Sequence, residues 1–389
     1  MWAKHTKEWR NPLEIIGQAK DVPDVDPKFL DYKIIGQWNE ILHRLGIRLL
    51  VSREYEHLLL CLGAGRSAVE ISYLTLPHPS GIAVDRLKKN IYIASTRNPN
   101  QVYTFRPMKG LIPRGDLSKL GGTVKLNDNF LVPVRSQFYP GSLYIHDLAF
   151  INDRLYANAV AHNAVVELPA PGGYQYAWWP RCAEKNGQRL RDKNYFQLNS
   201  IAGGTALNNS YFCASTDEIS RYRPGHLKFE VDGRGVVFSG KTRQVMARGL
   251  TRPHSLRLYN DKLWVDNSGY GEFGLIEAGK FQRIAELPGW TRGLCIKDGI
   301  AFVGTSQVIP QFRHYAPGLN ADKSICGISA IELKSGKFLG GIQWPKGNQI
   351  FAVEWISENL SSGFPFRYAP RKANNHIHQL FYAYNINSG

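Results

Sequence analysis

The chain is poor in sulfur and short of acid. Its 389 residues include 5 cysteines and 3 methionines, and 32 acidic residues stand against 48 basic ones, a net charge of +16. Cys61, Cys182, Cys213, Cys295 and Cys326 are odd in number, widely spaced and free of any C-x-x-C pair. That pattern argues against a disulfide framework or a thiolate metal site and predicts five free thiols in a reducing compartment. No apolar run approaches the roughly 18 residues that span a bilayer. Met1-Trp2-Ala3-Lys4-His5 leads into a charged segment without a signal-peptide core, so the expected setting is cytoplasmic, with no membrane partner. Also missing are G-x-S-x-G, the P-loop, H-E-x-x-H and the EF-hand loop, which removes the common sequence signs of hydrolase, nucleotide or calcium chemistry. The excess of Lys and Arg forms no run of five or more. It predicts attraction to anions without saying which: a small anion, an acidic peptide, a glycan or, on thinner grounds, nucleic acid.

What the chain does have is a repeat. Ser80-Gly81-Ile82-Ala83, His146-Asp147-Leu148-Ala149, Asn199-Ser200-Ile201-Ala202, His254-Ser255-Leu256-Arg257, Arg292-Gly293-Leu294-Cys295 and, more weakly, Phe351-Ala352-Val353-Glu354 share a polar residue, a small step and an apolar residue that is paired in most copies, and recur about 40–65 residues apart. A returning strand follows in most copies after a tight turn such as Asn152-Asp153 or Asn260-Asp261. Six such hairpins, with 37 glycines and 21 prolines to turn them, predict an all-β fold, a six-bladed β-propeller in which neighbouring blades cover one another. The propeller should occupy 46–389 as one domain, preceded by an N-terminal arm and short helix over 1–45; Trp38, Ile41, Leu42 and Leu45 fall on one helical face. Gln379–Tyr384 alternates as a strand and is a candidate to close the ring on the blade begun near residue 50. The insertions at 106–143 and 169–196 are candidates to cap one face, the second being rich in aromatic and basic residues.

Pro79-Ser-Gly-Ile-Ala-Val-Asp85 followed by Asn90-Ile-Tyr-Ile-Ala-Ser95 resembles an NHL-type repeat. More widely, Gly46–Arg53, Tyr144–Phe150, Arg252–Leu256, Leu263–Gly274, Leu287–Leu294 and Gly304–Gln307 occur in the order found in a bacterial NHL-like family of six-bladed propellers, conserved hypothetical proteins with no settled activity. The resemblance implies the fold and the place of the site, not a reaction.

The lead residues of the repeat, Ser80, His146, Asn199, His254, Arg292 and Phe351, should converge around the axis. His146, His254, Arg292 and Asp147 are the candidate catalytic residues. Asp147 would orient an imidazole or face the blade interior. Arg292, Asn267, Ser268, Glu272, His162 and Trp290 are candidates to bind substrate. A divalent metal of unspecified identity is the cofactor the set admits, on His146, His254 and Asn199. Each residue also has a structural reading: His146–Asp147 as a buried pair, Ser80 as scaffold, and Asn199, Asn267 and Ser268 as strand-end groups. The leading expectation is an enzyme, hydrolase or lyase in type, working through a metal or through the histidines as acid and base, and acting on a small or peptidic anion at the channel mouth. The rival is a binding propeller that docks an acidic peptide, glycan or nucleic acid without changing a bond.

Overall fold

The computed structural model describes residues 25–65, 68–97, 100–113, 129–170, 172–367 and 381–384. Arm residues 1–24 lie outside them. Six antiparallel sheets stand around one axis, each led by one copy of the repeat. Blade one holds Pro79–Asp85, Asn90–Ser95, Asn100–Met108 and Phe130–Tyr139, and blade two Ile145–Ile151, Arg154–Ala159, Ala164–Glu167 and Gln175–Trp178. Blade three holds Leu198–Ala202, Tyr211–Ala214, Gly235–Ser239 and Val245–Leu250, and blade four Pro253–Tyr259, Lys262–Asn267, Glu272–Glu277 and Lys280–Glu286. Blade five runs from Trp290–Lys297 through Ile300–Ser306 and Cys326–Glu332 to Phe338–Trp344, with Lys33–Gly36 added outside.

Blade six closes the ring. Its innermost strand is Ala352–Ser357, from the end of the chain, and it pairs with Ile47–Arg53 from the beginning (Val51 opposite Val353); Leu58–Ala64, Val69–Thr75 and Phe366–Arg367 follow outward. This corrects the expectation that Gln379–Tyr384 would close the ring. The closing strand is the sixth copy of the repeat itself, and the Phe381–Tyr384 strand pairs with Leu111–Pro113 instead.

Each blade-to-blade junction carries its own apolar cluster, for example Leu50, Leu59, Ile82, Ile93 and Phe105 between blades six and one, and Trp264, Phe273, Leu294 and Val303 between four and five. The first apolar residue of each copy, Ile82, Leu148, Ile201, Leu256, Leu294 or Val353, is what each blade offers to these clusters. The helix Trp38–Leu45 seals the junction of blades five and six: Trp38, Ile41 and Leu42 are buried there, Trp38 lies edge-on to Phe302 at 5.8 Å, and Gly46 ends the helix in the left-handed conformation at φ 60°. Burying each of those three side chains contributes about 1.5–3 kcal/mol. None of the five cysteines is in a disulfide, and four of them are buried.

A polar latch crosses every junction near the axis. Ser52 Oγ donates to Ser80 O (2.6 Å), Ser80 Oγ to Ile145 O (2.9 Å) and Asn158 Nδ2 to Leu198 O (2.8 Å). Asn199 Nδ2 donates to Pro253 O (2.9 Å), Ser268 Oγ to Thr291 O (2.6 Å) and Ser306 Oγ to Ile350 O (3.1 Å). These bonds supply partners for buried carbonyls that the bulged first strands would otherwise leave orphaned. Asn158 works hardest among them, because its Oδ1 also accepts from the backbone N–H groups of His146 (2.9 Å) and Asp147 (2.6 Å). Asn158→Ala is therefore expected to cost about 2–3 kcal/mol, since three buried partners lose their bond. Chemical denaturation checks this, and an unchanged midpoint would show that the latch does not bear on stability.

Candidate site at the channel mouth

A recurring irregularity aims the repeat's lead residues inward. In five blades the register between first and second strands slips at or just after that residue: between Pro79 and Ile82, Ile145 and Leu148, Leu198 and Ser200, His254 and Arg257, and Thr291 and Leu294. A bulge of this kind bends the strand and re-aims a side chain. Two residues upstream lies a second tier that sequence reasoning missed as a set: His78, Tyr144, Gln197, Arg252, Trp290 and Gln349. The first four of these have positive φ, 44°, 55°, 52° and 54°, although none is glycine. Side chains disfavour that region, and it persists where surrounding structure imposes it.

The two tiers line one cavity of about 310 Å³. From the lead tier come His146, Asn199, His254 and Arg292; from the second come Tyr144, Gln197, Arg252, Trp290 and Gln349. Glu54, Tyr55 and Arg97 complete the wall. The cover is made by 216–234 of blade three and 307–325 of blade five, which bring Arg223, Phe312, His314 and Tyr315 and are tied by Tyr315 Oη donating to Gly225 O at 2.9 Å. None of the described residues of 106–143 or 169–196 lines the pocket. Those insertions build outer strands of blades one and two instead of the expected cap.

The imidazoles of His146 and His254 lie 6.0 Å apart between ring centres, and Phe351 meets both edge-on at 5.4 and 5.9 Å. Burial, then the nearby Arg292 cation, holds both well below the ordinary histidine range; the Asn199 side chain works the other way on His146. They are neutral at pH 7. Neither ring nitrogen of His146 has a hydrogen-bond partner of good geometry, nor has Nε2 of His254, whose Nδ1 meets Ser255 Oγ at 3.1 Å. Arg292 is buried over the Phe351 ring at 3.4 Å, and its Nη1 donates to the Gln349 amide oxygen at 2.8 Å while the Gln349 nitrogen donates to Glu54 at 3.1 Å. Burial lowers its pKa to about 10, so it stays cationic. Arg252 is buried over Tyr315 at 4.2 Å and donates to Pro224 O at 3.0 Å. No carboxylate among the described residues lies within ion-pair distance of either arginine, and each keeps an unpartnered Nε–H.

Several predicted site residues lie elsewhere. Asp147 turns into the blade interior, where its carboxylate grips Arg257 at 2.9 and 3.4 Å and accepts from the backbone of Ile201. It is a clasp between blades and does not touch the imidazoles. Ser268 is the latch to Thr291. Asn267 is spent on Thr251 N and Glu272, and Glu272 also pairs with Arg283. His162 accompanies Tyr174 and Tyr176 on the outer side of blade two. The strand-end candidates Asn267 and Ser268 are occupied in joining blades, because a buried strand end must find partners for its own polar groups.

The donor set does not fit a divalent cation. No group of three or more His, Cys, Asp or Glu positioned to hold one occurs among the described residues. Beside the two imidazoles the set offers only the neutral Asn199 side-chain oxygen, so no donor carries a negative charge, and the imidazoles face Arg292 and Arg252, whose charges oppose a further cation.

Neutral buried histidines make stability depend on pH. The unfolded chain takes up protons below about pH 6.5, and the folded chain resists them. Stability is therefore fully present above pH 6.5 and falls as the pH drops, by about 1.4 kcal/mol per pH unit per histidine. Asp266, opposite His254, is pushed upward by burial, which disfavours its charged form and acts on stability in the opposite sense. The measurement is thus the difference between the wild type and the His146→Gln/His254→Gln pair, which cancels other groups. The variant should show the flatter fall between pH 6.5 and 5, and parallel curves would contradict neutral histidines.

Fold and site together define a six-bladed β-propeller with a basic, aromatic-walled pocket on its axis. The chain belongs to the family described as a domain of unknown function, DUF4915, which matches residues 36–362. No curated protein matches it in sequence. Among solved structures, one from a nidogen/laminin complex is 10% identical with a TM-score of 0.52, over 80% of this chain and 99% of that one. A gluconolactonase from Xanthomonas campestris is 14% identical with a TM-score of 0.41, over 69% and 77%. A luciferin-regenerating enzyme is 11% identical with a TM-score of 0.43, over 69% and 77%. At 10% identity the likeness to the structure from the nidogen/laminin complex is one of fold alone. No helix among the described residues is long and apolar enough to cross a membrane.

Proposed function

We propose that the protein is an enzyme acting on a small or peptidic anion held in the axial pocket, with Arg252 and Arg292 binding the anion and His146 and His254 exchanging protons with it. One observation carries this reading: buried polar atoms without partners gather in this cavity, on His146, Arg252, His254, Trp290, Arg292 and His314. Leaving such groups unpaired costs about 1–3 kcal/mol each, a cost that a ligand would remove. Four arginines and one glutamate line the pocket, so the missing partner is an acceptor with negative charge.

Two neutral imidazoles side by side suit acid–base work. One imidazole takes a proton from water, or from carbon beside a carboxylate, and as the imidazolium hands that same proton to the leaving oxygen, while the other hydrogen-bonds the water or substrate. That covers hydrolysis and elimination without a metal. The test is a screen of chelator-treated protein against esters, lactones and elimination substrates that carry a carboxylate, repeated with His146→Ala/His254→Ala. Turnover should fall by about 10²–10⁴-fold in the variant, with anion affinity kept. Absence of turnover, with anion affinity intact in both proteins, would overturn the enzyme reading in favour of a binding propeller. Activity that vanishes on chelation and returns with metal would overturn the metal-free mechanism.

A further inference from the structure

The unpartnered atoms in the pocket are of two kinds. Arg252 Nε, Arg292 Nε and Trp290 Nε1 can only donate. The ring nitrogens of His146 and the Nε2 atoms of His254 and His314 belong to imidazoles whose protonation burial disfavours, and a neutral imidazole nitrogen either donates or accepts. A bare oxyanion accepts from the first kind and from an imidazole N–H, but leaves orphaned every imidazole nitrogen that accepts. Hydroxyl groups, which donate and accept, satisfy the second.

The walls add shape. Trp290, Phe312 and Tyr315 have ring centres 5.5–6.2 Å apart, and Tyr55 stacks on Phe312 at 6.2 Å, giving one side of the cavity a continuous aromatic face. Such a face suits the flat C–H side of a saturated ring. The cations lining the pocket are all guanidinium groups, with no lysine, and a planar fork matches a planar carboxylate. The volume is at the small end for ligand sites, which leaves little room for a long chain.

We infer that the occupant is a polyhydroxylated ring bearing a carboxylate, a sugar-acid unit, with its carboxylate on Arg252 and Arg292, its hydroxyls toward the imidazoles and its ring against the Trp290–Phe312–Tyr315 wall. This rests on the anion-site reading and narrows it to one chemical class.

The experiment is calorimetric titration of the full-length, chelator-treated protein with four probes: a panel of methyl hexuronides, the matching neutral methyl hexosides, acetate and inorganic phosphate. At least one hexuronide should bind about tenfold or more tighter than acetate or its neutral counterpart, since a site built for polar groups rejects analogues that lack them. Arg292→Lys, which keeps the charge and loses the fork, and Trp290→Phe, which keeps a ring and loses the indole N–H, should each weaken that hexuronide several-fold without changing the melting temperature much. If acetate or phosphate binds as tightly as every hexuronide, with dependence on Arg292, the sugar-acid assignment is overturned and the anion site stands. If no probe binds, both fail.

Discussion

Replacing Arg292 with methionine is expected to lower anion affinity by about a hundredfold, the loss of roughly 3 kcal/mol that truncating one member of a buried charged pair brings. The same change should leave the fold intact or firmer. Arg292 is 5% exposed, has no ion-pair partner among the described residues, and has its pKa lowered from the ordinary guanidinium range to about 10. That shift amounts to about 3 kcal/mol of unfavourable burial, present at all pH values well below 10. An arginine kept at such a cost and aimed into a cavity is the signature of a binding group in place of a stabilising one. Titration calorimetry and thermal unfolding, run together, check both halves. A variant that binds normally, or that binds poorly because it has melted, would contradict the assignment.

Asp147→Ala should produce the opposite pattern, with stability falling by about 3–5 kcal/mol because the partner of a buried ion pair is left uncompensated. Arg257 would lose both carboxylate contacts, and the N–H groups of Ile201 and Leu148 would lose their acceptor. Since Arg257 Nε also donates to Leu294 O at 3.1 Å, the clasp reaches from blade two across three and four to five. Asp147→Ala/Arg257→Leu should recover part of the loss, as a double-mutant cycle requires for coupled groups. Additive losses would show that the two side chains act separately.

His146 and Asp147 are adjacent, yet one belongs to the pocket and the other to the scaffold, and this shows how far the sequence could be taken. The repeat was legible because every blade needs an apolar residue at the same step to fill its junction, so Ile82, Leu148, Ile201, Leu256, Leu294 and Val353 recur there. The lead residues were legible because they vary where that residue does not. The bulge that turns Asp147 away from the channel left no residue-type mark. The second tier was hidden for a similar reason: Tyr144, Gln197, Arg252, Trp290 and Gln349 share a position and no chemistry. The signal available was the spacing, two residues before each lead. The closing strand was already present as the sixth copy at Phe351, but Gln379–Tyr384 alternates equally well, and local pattern alone does not choose between two such strands. The cover from 216–234 and 307–325 depends on which loops happen to lean across the axis. Length pointed to other loops.

The most direct test of the account is a selenate soak of metal-free crystals, read by anomalous scattering from selenium. A single strong peak in the axial pocket, within hydrogen-bond distance of Arg252 or Arg292, is the predicted result. Peaks confined to the outer basic residues of the blades, with nothing in the pocket, would contradict the anion site on which the proposed function stands.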